Sequence, residues 1–540
     1  MKPSGRTNAR IFLAIQTAYV KDTMSHRLDT IRHSHPRFLL LYSPLQFGEG
    51  EIAKPDGSLS LAYIAGAIRD AGYEVKILDC SVGDDHDDLQ DTFFRSTALP
   101  SGLYRVGLSA ERIAEKMADY DVIGISSIFC PQTAMVLEVV RLAKQVDPGK
   151  LVVAGGVNAR SLRALFFRNG VDVIALSEAE GTILQIAEAV RGKRTLTQIP
   201  GIAFVDELGQ EVVNPSAAPL MDLDGLPMPA WDMLPLKKYW DISRPHGGQF
   251  PEGERIQYAS LQTSRGCPYS CLYCHISKED ENSISGNIGK YRLKSIDRVV
   301  RELECLKDLG VEYVFFEDDS LFAKKKRAYK LFELVKAMDM KLLDVNGINI
   351  AHMQKNYGGK LGADDEFIGV LADAGFSFLT LPFESSSQRL LDKYSTSKWQ
   401  VRLTNTAQLL KSLEAHNIRA AGNYMMGYPD ETEIEIQETI LMAKRHIDEG
   451  LNHALFFTVV PFPGSRLYDM AIANGQLDAE FDPDTMRWTK SILRNLAMPT
   501  DSLERIRQLA WLTVNRTEYV NYKIAQRVNP SDTTLAVATL

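Results

Sequence analysis

The stretch Gln257-Tyr258-Ala259-Ser260-Leu261-Gln262-Thr263-Ser264-Arg265-Gly266-Cys267-Pro268-Tyr269-Ser270-Cys271-Leu272-Tyr273-Cys274 decides how the rest of the chain is read. Its first seven residues suit a strand, and the loop beyond holds three of the six cysteines within a window of eight residues. Cys80, Cys130 and Cys305 are scattered and read as ordinary buried thiols. Six cysteines in 540 residues do not make a disulfide scaffold. Three thiols on a loop with Gly266 and Pro268 can curl around one compact inorganic core, and iron–sulfur clusters require thiolates. Zinc is the rival, but a structural zinc site closes with four ligands, usually as two distant pairs. Only His275 stands at hand, too close in sequence to complete a tetrahedron easily. Three ligands for four irons would leave one iron open to a substrate or cofactor.

Downstream of this loop the chain alternates between strands and helices. Six strands are expected, at 257–263, 311–316, 341–345, 376–383, 418–426 and 454–460. In the first intervening helix Ser295 can cap the start, Ile296, Val299, Val300, Leu303 and Leu306 form a buried stripe, and Gly310 can close the end. Six such units in about 210 residues suit a partial (β/α)6 barrel, since eight take about 250. Barrel chemistry collects at the carboxyl ends of strands, where the cysteines lie. Upstream, strands are expected at 38–42, 74–79, 122–127, 151–155 and 171–176. Helices lie between them, such as the one from Met135 to Lys144 with Val136, Val139, Val140 and Ala143 on one face. That series makes a Rossmann-like parallel sheet whose ligands sit outside the carboxyl ends of its strands. The α/β chain therefore divides into an arm (1–36), a first domain (37–206), a proline-rich linker (207–255), a barrel (256–465) and a small helical carboxy-terminal domain (466–540).

A hydrophobic fraction of 45% allows a sizeable core, and a net charge of −8 gives no basic face for nucleic acid. The first 37 residues are the exception, with seven Lys/Arg against two Asp, and read as a solvated arm. Ile11 to Val20 is apolar, but Gln16 and Thr17 interrupt it and no cleavage site follows, so a signal peptide is not expected. No apolar run reaches the roughly 20 residues needed to span a bilayer. A soluble cytoplasmic protein without a membrane partner is expected.

The spacing Cys-x3-Cys-x-Tyr-Cys after the first strand of a six-unit barrel resembles the radical S-adenosylmethionine superfamily. The resemblance implies a 4Fe-4S cluster on Cys267, Cys271 and Cys274 whose open iron chelates the amino and carboxylate groups of S-adenosyl-L-methionine. One electron would then split the sulfonium and yield a 5′-deoxyadenosyl radical. Other positions match in turn. Glu317-Asp318-Asp319-Ser320 is similar to the acidic turn near the cofactor amine, with a helix cap as the plainer reading. Glu384-Ser385 is similar to the Glu-Ser pair ending the fourth strand, although Ser386 replaces the usual glycine. Asn423 to Pro429 resembles the glycine motif where backbone nears the adenine, and Gly427 is otherwise a turn glycine. Pro463-Gly464-Ser465 resembles the turn after the sixth strand, and Tyr273 would lie beside the adenine or pack beneath the loop.

The first domain lacks a Gly-x-Gly-x-x-Gly fingerprint, so a dinucleotide is not expected. Its turns Gly124-Ile125-Ser126-Ser127, Gly155-Gly156 and Ser177-Glu178-Ala179-Glu180-Gly181-Thr182 permit close backbone approach by a large ligand. Together they resemble the cobalamin-binding domain of B12-dependent radical S-adenosylmethionine enzymes, and Leu59 to Ala65 resembles its first helix. The likeness runs over residues 37–465 and implies cobalamin contacts at Ser43, Ser126, Ser127, Gly155, Gly156, Glu178 and Glu180. Two departures stand out: Asp56-Gly57-Ser58-Leu59-Ser60 replaces Pro-Pro-x-Gly-Leu, and Ser177-Glu178-Ala179-Glu180 replaces Gly-Glu-Gly-Glu. His86 is followed by Leu89 where Asp-x-His-x-x-Gly needs glycine, so cobalt would lack that histidine ligand. The resemblance implies a class B methyltransferase acting on an unactivated carbon of a small intermediate, fed by a reductant such as flavodoxin or ferredoxin. A non-methylating radical enzyme, an oxidative cyclase or one that catalyses a rearrangement, is the second reading and a non-catalytic corrinoid carrier or sensor the third. Methylthiotransfer would need three further upstream cysteines, and only Cys80 and Cys130 are there. No side chain acting directly on the substrate is singled out.

Overall fold

The run Phe38-Leu39-Leu40-Leu41-Tyr42 forms a strand, β1, with every residue buried, because helices cover both faces of the sheet it joins. The computed structural model describes residues 35–55, 57–246, 250, 254–478 and 480–525. The basic arm therefore lies outside the described residues except for His35 and Pro36. With β1 (Phe38–Tyr42) stand β2 (Val75–Asp79), β3 (Val122–Ser126), β4 (Leu151–Gly155) and β5 (Val173–Ala175), all parallel, in the order β2-β1-β3-β4-β5. That order reverses between β1 and β3, the place where such sheets open a ligand crevice at their carboxyl edge.

Two further strands, β6 (Ile202–Val205) and β7 (Glu211–Val213), extend the sheet antiparallel beyond β5. β7 falls inside the segment read as a linker, and the rest of that segment is packed as well. Trp231, Tyr239 and Trp240 are buried, at 1%, 1% and 6% exposure. The Trp231 indole donates to the Ser260 carbonyl at 3.1 Å and the Trp240 indole to the Tyr258 carbonyl at 2.8 Å. Those carbonyls belong to an edge strand, so the segment covers an edge that would otherwise be open to pairing. Isolated aromatic anchors have no period, which is why the stretch reads as loose.

The second sheet holds β8 (Tyr258–Leu261), β9 (Tyr313–Phe316), β10 (Lys341–Asp344), β11 (Phe376–Glu384), β12 (Arg419–Met426) and β13 (His453–Thr458). All are parallel and neighbours in chain order, the topology of a partial (β/α)6 barrel. Alternate residues face opposite ways: Phe316 meets Phe332 of the helix Lys325–Val335 at 5.8 Å, while Phe315 meets Tyr258 at 5.5 Å. The far edge, β13, is covered by Asn515, whose side-chain oxygen accepts from Ala454 N at 2.7 Å and whose amide donates to Ala454 O at 2.9 Å. Asn515 follows the helix Thr500–Val514 of the helical carboxy-terminal region.

In the helix Ile296–Asp308, Ser295 accepts from Arg298 N and Gly310 has φ +87°, as the sequence suggested. Val299, Leu303 and Leu306 are buried, but Val300 is only half-buried. Arg298 and Glu302 share the inner face instead, with Arg298 Nε donating to Glu302 at 2.8 Å and Lys294 bonding the same carboxylate. A stripe read from apolar residues cannot foresee ions that are buried as pairs. Among the described residues no helix is long and apolar enough to cross a membrane.

Candidate active site

The cysteine loop leaves β8 under a staple. Asp318, at the exit of β9, accepts from Thr263 N at 2.9 Å, Thr263 Oγ1 at 2.8 Å and Ser264 Oγ at 2.5 Å. Its carboxylate is thus committed to holding two strand exits together, neither capping a helix nor open to a ligand. Asp319 is the acid of this turn that faces the loop. It accepts the Gly266 N–H, and burial pushes its carboxyl up to about 6 against the opposing pull of His275. Gly266 has φ +75°, and a Cβ there would lie 2.4 Å from Gly289 O and 2.5 Å from Lys290 O. Only glycine fits. Cys267 N donates to Gly289 O at 3.1 Å and Leu272 N to Tyr394 O at 2.8 Å, which anchor the loop from two sides, while Cys274 N donating to Cys271 O at 2.9 Å closes it on itself.

Cys271 is buried and its two partners half-buried. Burial first, then the charges of the neighbouring thiols and Asp319, raise Cys274 strongly and push Cys267 up to about 11. Bound metal must therefore displace the protons. Among the described residues no three His, Cys, Asp or Glu side chains close on a single ion. The donor set, three soft sulfurs on one loop with the other cysteines elsewhere in the fold, has the chemistry of a cluster with one open iron.

Beside the loop, Tyr273 donates to Glu384 at 3.0 Å and meets Ser395 Oγ at 3.1 Å. Glu384 has φ +61°, a strained conformation that aims its carboxylate at the loop, and also accepts from Lys398 Nζ at 2.6 Å. The sequence reading missed Lys398, which no motif flags. Ser385 turns the other way: its Oγ accepts from Ser387 N at 3.1 Å and lies 3.4 Å from Thr439 Oγ1. Asn423, on β12, keeps a buried Oδ1 with no hydrogen-bond donor. At Gly427 (φ +90°) an added Cβ would meet Leu503 at 2.3 Å. Its N–H is held by Glu431 at 2.5 Å, with Tyr428 N at 3.1 Å. The close approach at Gly427 is thus to the carboxy-terminal helix, and Glu431 is a second buried acid the sequence reading missed.

In the first domain Ser43, Ser126, Ser127, Gly155 and Gly156 gather at the carboxyl ends of β1, β3 and β4, on the reversal point of the sheet. Gly156 has φ +99° and its missing Cβ would lie 2.3 Å from Ser127 O. Asn158 donates to Ser127 Oγ and Thr133 Oγ1, both at 3.0 Å, while its Oδ1 has no donor. Ile128 and Phe129 stand exposed at 37% and 39% beside this edge. Small residues, an orphaned amide oxygen and exposed apolar side chains fit a broad apolar ring fringed with amides, the chemistry of a corrinoid.

Glu178 and Glu180 are bound by arginines of the barrel. Glu178 accepts from Arg265 at 3.0 Å, from Arg292 at 2.8 Å and from Leu220 N at 2.8 Å, and Glu180 from Arg265 at 2.5 Å. Their arginine partners are more than eighty residues away in sequence, so local pattern gives no sign of them. The two ligand edges meet. Cys130 shares one apolar cluster with Tyr394, Tyr428 and Leu467, against which Leu272 and Tyr273 pack. Gly464 would bring a Cβ within 2.5 Å of Ser161 Oγ, and Ser465 caps the helix Arg466–Ala473. Arg160 pairs with Glu279, whose carboxylate also meets His275 Nδ1 at 3.0 Å, one residue past Cys274.

Residues 261–443 match the radical SAM superfamily and residues 57–187 a B12 binding domain. The chain is 28% identical over 467 residues to the cytidylyl-2-hydroxyethylphosphonate methyltransferase of Streptomyces wedmorensis, covering 81% of each chain. It is 23% identical over 441 residues to the anaerobic magnesium-protoporphyrin IX monomethyl ester cyclase of Rubrivivax gelatinosus, covering 80% of this chain and 69% of that one. In fold it is similar to the radical S-adenosylmethionine methyltransferase TsrM from Kitasatospora setae, solved with cobalamin and a 4Fe-4S cluster. The TM-score there is 0.58 at 16% identity, over 81% of this chain and 75% of that one. It is also similar to the cobalamin-dependent S-adenosylmethionine radical enzyme OxsB, with TM-score 0.64 at 15% identity, over 92% of this chain and 69% of that one.

Proposed function

We propose that this chain, which carries a B12 binding domain followed by a radical SAM domain, methylates an unactivated carbon of a small biosynthetic intermediate in the cytoplasm. One observation supports the reading: the cysteine loop is packed against, and ion-paired to, the domain that carries the sheet's ligand edge. Cys130 of the first domain lies in the apolar cluster of the loop, and Arg265 of the loop is bound by Glu178 and Glu180 of the first domain. The similarity to a phosphonate methyltransferase over 81% of both chains supports it. When bound, the cluster supplies the electron that cleaves S-adenosylmethionine and the corrinoid carries the methyl group.

The chain's own residues hold and screen these partners. Cys267, Cys271 and Cys274 would take three irons. Glu384 offers a fixed carboxylate to the methionyl ammonium, and Asn423 Oδ1 an acceptor deeper in the barrel. Ser43, Ser126 and Ser127 border the corrinoid edge, where Gly155 and Gly156 let it approach the backbone. Met425, Leu455 and Phe457 are half-buried among buried neighbours on β12 and β13 and give the barrel mouth an apolar wall that excludes water. A flavodoxin or ferredoxin would deliver the electrons.

Product stoichiometry tests the proposal. Anaerobically reconstituted protein with substrate should form S-adenosylhomocysteine and 5′-deoxyadenosine in equal amounts. The cyclase relatives favour the second reading, oxidative ring closure, which predicts 5′-deoxyadenosine with little S-adenosylhomocysteine. That outcome would overturn methylation and leave the radical chemistry standing.

A further inference from the structure

The loop after the helix Gln388–Tyr394 wraps the cysteine loop at four points. Tyr394 O accepts from Leu272 N at 2.8 Å, and Ser395 Oγ meets Tyr273 OH at 3.1 Å. Thr396 Oγ1 accepts from Ser270 N at 3.2 Å and lies 4.0 Å from Cys271 Sγ. Thr396 and Ser397 are both left-handed, at φ +55° and +48°. Such backbone is costly for a β-branched residue and persists where surrounding contacts impose it. The pair of turns delivers Lys398 inward, where its side chain is only 13% exposed. There Nζ lies 2.6 Å from Glu384 and 5.9 Å from the centre of the Tyr273 ring, between the second and third cysteines.

We propose that Lys398 is a positioning residue for electron entry, a buried cation that makes the cluster on Cys267, Cys271 and Cys274 easier to reduce. The inference rests on the cluster reading and goes beyond it. Its charge is felt at all three cysteines; Asp319, Glu384 and His275, the last bound to Glu279, also face the loop, and His352 meets Tyr269 OH at 3.1 Å. An added electron makes an already anionic center more negative, and in a low-dielectric site a nearby cation favours that state while a carboxylate opposes it. Lys398 and Glu384 therefore pull the reduction in opposite directions.

The test is an anaerobic redox titration of the full-length, cluster-loaded protein without S-adenosylmethionine, followed by electron paramagnetic resonance. Lys398→Met should lower the ratio of reduced to oxidised cluster at a fixed poise at least tenfold, which is 59 mV for one electron. Lys398→Arg should titrate like the parent, and Glu384→Gln should shift the opposite way from Lys398→Met. A Lys398→Met protein with full iron and sulfide that titrates like the parent overturns the proposal, as does a Glu384→Gln shift in the same direction. If Lys398→Met loses iron, the sign of the Glu384→Gln shift decides alone. Parent protein that binds no iron instead defeats the cluster reading.

Discussion

Arg265 donates from Nη2 to Glu180 at 2.5 Å, so the residue that precedes the turn of the cysteine loop is bound to the last helix of the corrinoid sheet. Nη1 reaches Glu178 at 3.0 Å, and the guanidinium lies 5.0 Å above the Tyr63 ring. The planar fork of arginine serves two carboxylates at once, which an ammonium cannot do. Arg265→Ala should cost roughly 3 kcal/mol, because Glu180 stays behind nearly buried without its cation while Glu178 keeps Arg292. Arg265→Lys should cost about half as much. Denaturant midpoints with iron and cobalamin content check this, and loss of both cofactors together is the expected mark of a shared strut.

Gly266→Ala should leave the sheets folded and the cluster loop unformed. A methyl group there meets two backbone carbonyls that cannot move without breaking the Gly289–Cys267 hydrogen bond. The expected outcome is unchanged far-ultraviolet circular dichroism and a fall in bound iron of about tenfold or more, on the order of 1.4 kcal/mol per decade. Iron content equal to the parent would sink it.

The strands of both sheets were legible because each is a short apolar run between turn residues, and the cysteine loop because its spacing is local. What escaped is non-local. Trp231 and Trp240 cover the edge of β8 through single indole bonds, and Asn515 covers β13 from beyond the barrel; none belongs to a repeating pattern. Glu178 and Glu180 carry the spacing of a ligand turn, but Arg265 and Arg292 claim them across the domain boundary. Lys398 enters the site through a left-handed turn at Thr396 and Ser397 that residue type does not announce, and Glu431 through a bond to the Gly427 N–H that no spacing marks.

Asn515→Ala should expose how much the barrel depends on its carboxy-terminal cover. Both hydrogen bonds of Asn515 to Ala454 are buried, and their loss strands an N–H and a carbonyl on the edge of β13. Leaving buried backbone groups unpaired costs about 1–3 kcal/mol each. An unfolding free energy from denaturant titration lowered by that amount, with more aggregation during refolding from the freed edge, is the expected result.

Cys271→Ala separates an enzyme from a carrier. Cys271 is the most buried of the three thiols and lies within the wrap of Thr396, while Ser126 and Ser127 belong to the other sheet. The variant should lose S-adenosylmethionine cleavage to background and still bind cobalamin. Reductive cleavage that survives the substitution would dismiss the cysteine loop as the cluster site.

Glu431 gives the barrel a pH dependence of definite sign. Its carboxyl is fully buried, accepts from Gly427 N and Tyr428 N through one oxygen, and has no partner at the other. Burial outweighs the two N–H donors and pushes it up to about 8, from an ordinary value of 4.5. Between those values the folded chain keeps a proton that the unfolded chain has released. The proton-binding difference then makes stability fall as pH rises, from full effect below about 4.5 to its loss above about 8. Glu431→Gln keeps an acceptor for Gly427 and Tyr428 and carries no charge at any pH. The variant should match the parent in unfolding free energy near pH 5 and exceed it near pH 9, by a few kcal/mol at roughly 1.4 kcal/mol per unit of pH. A parent–variant difference that stays constant across that range would mean that the buried acid is ionised in the folded chain and that the turn at Gly427 is built on a charge.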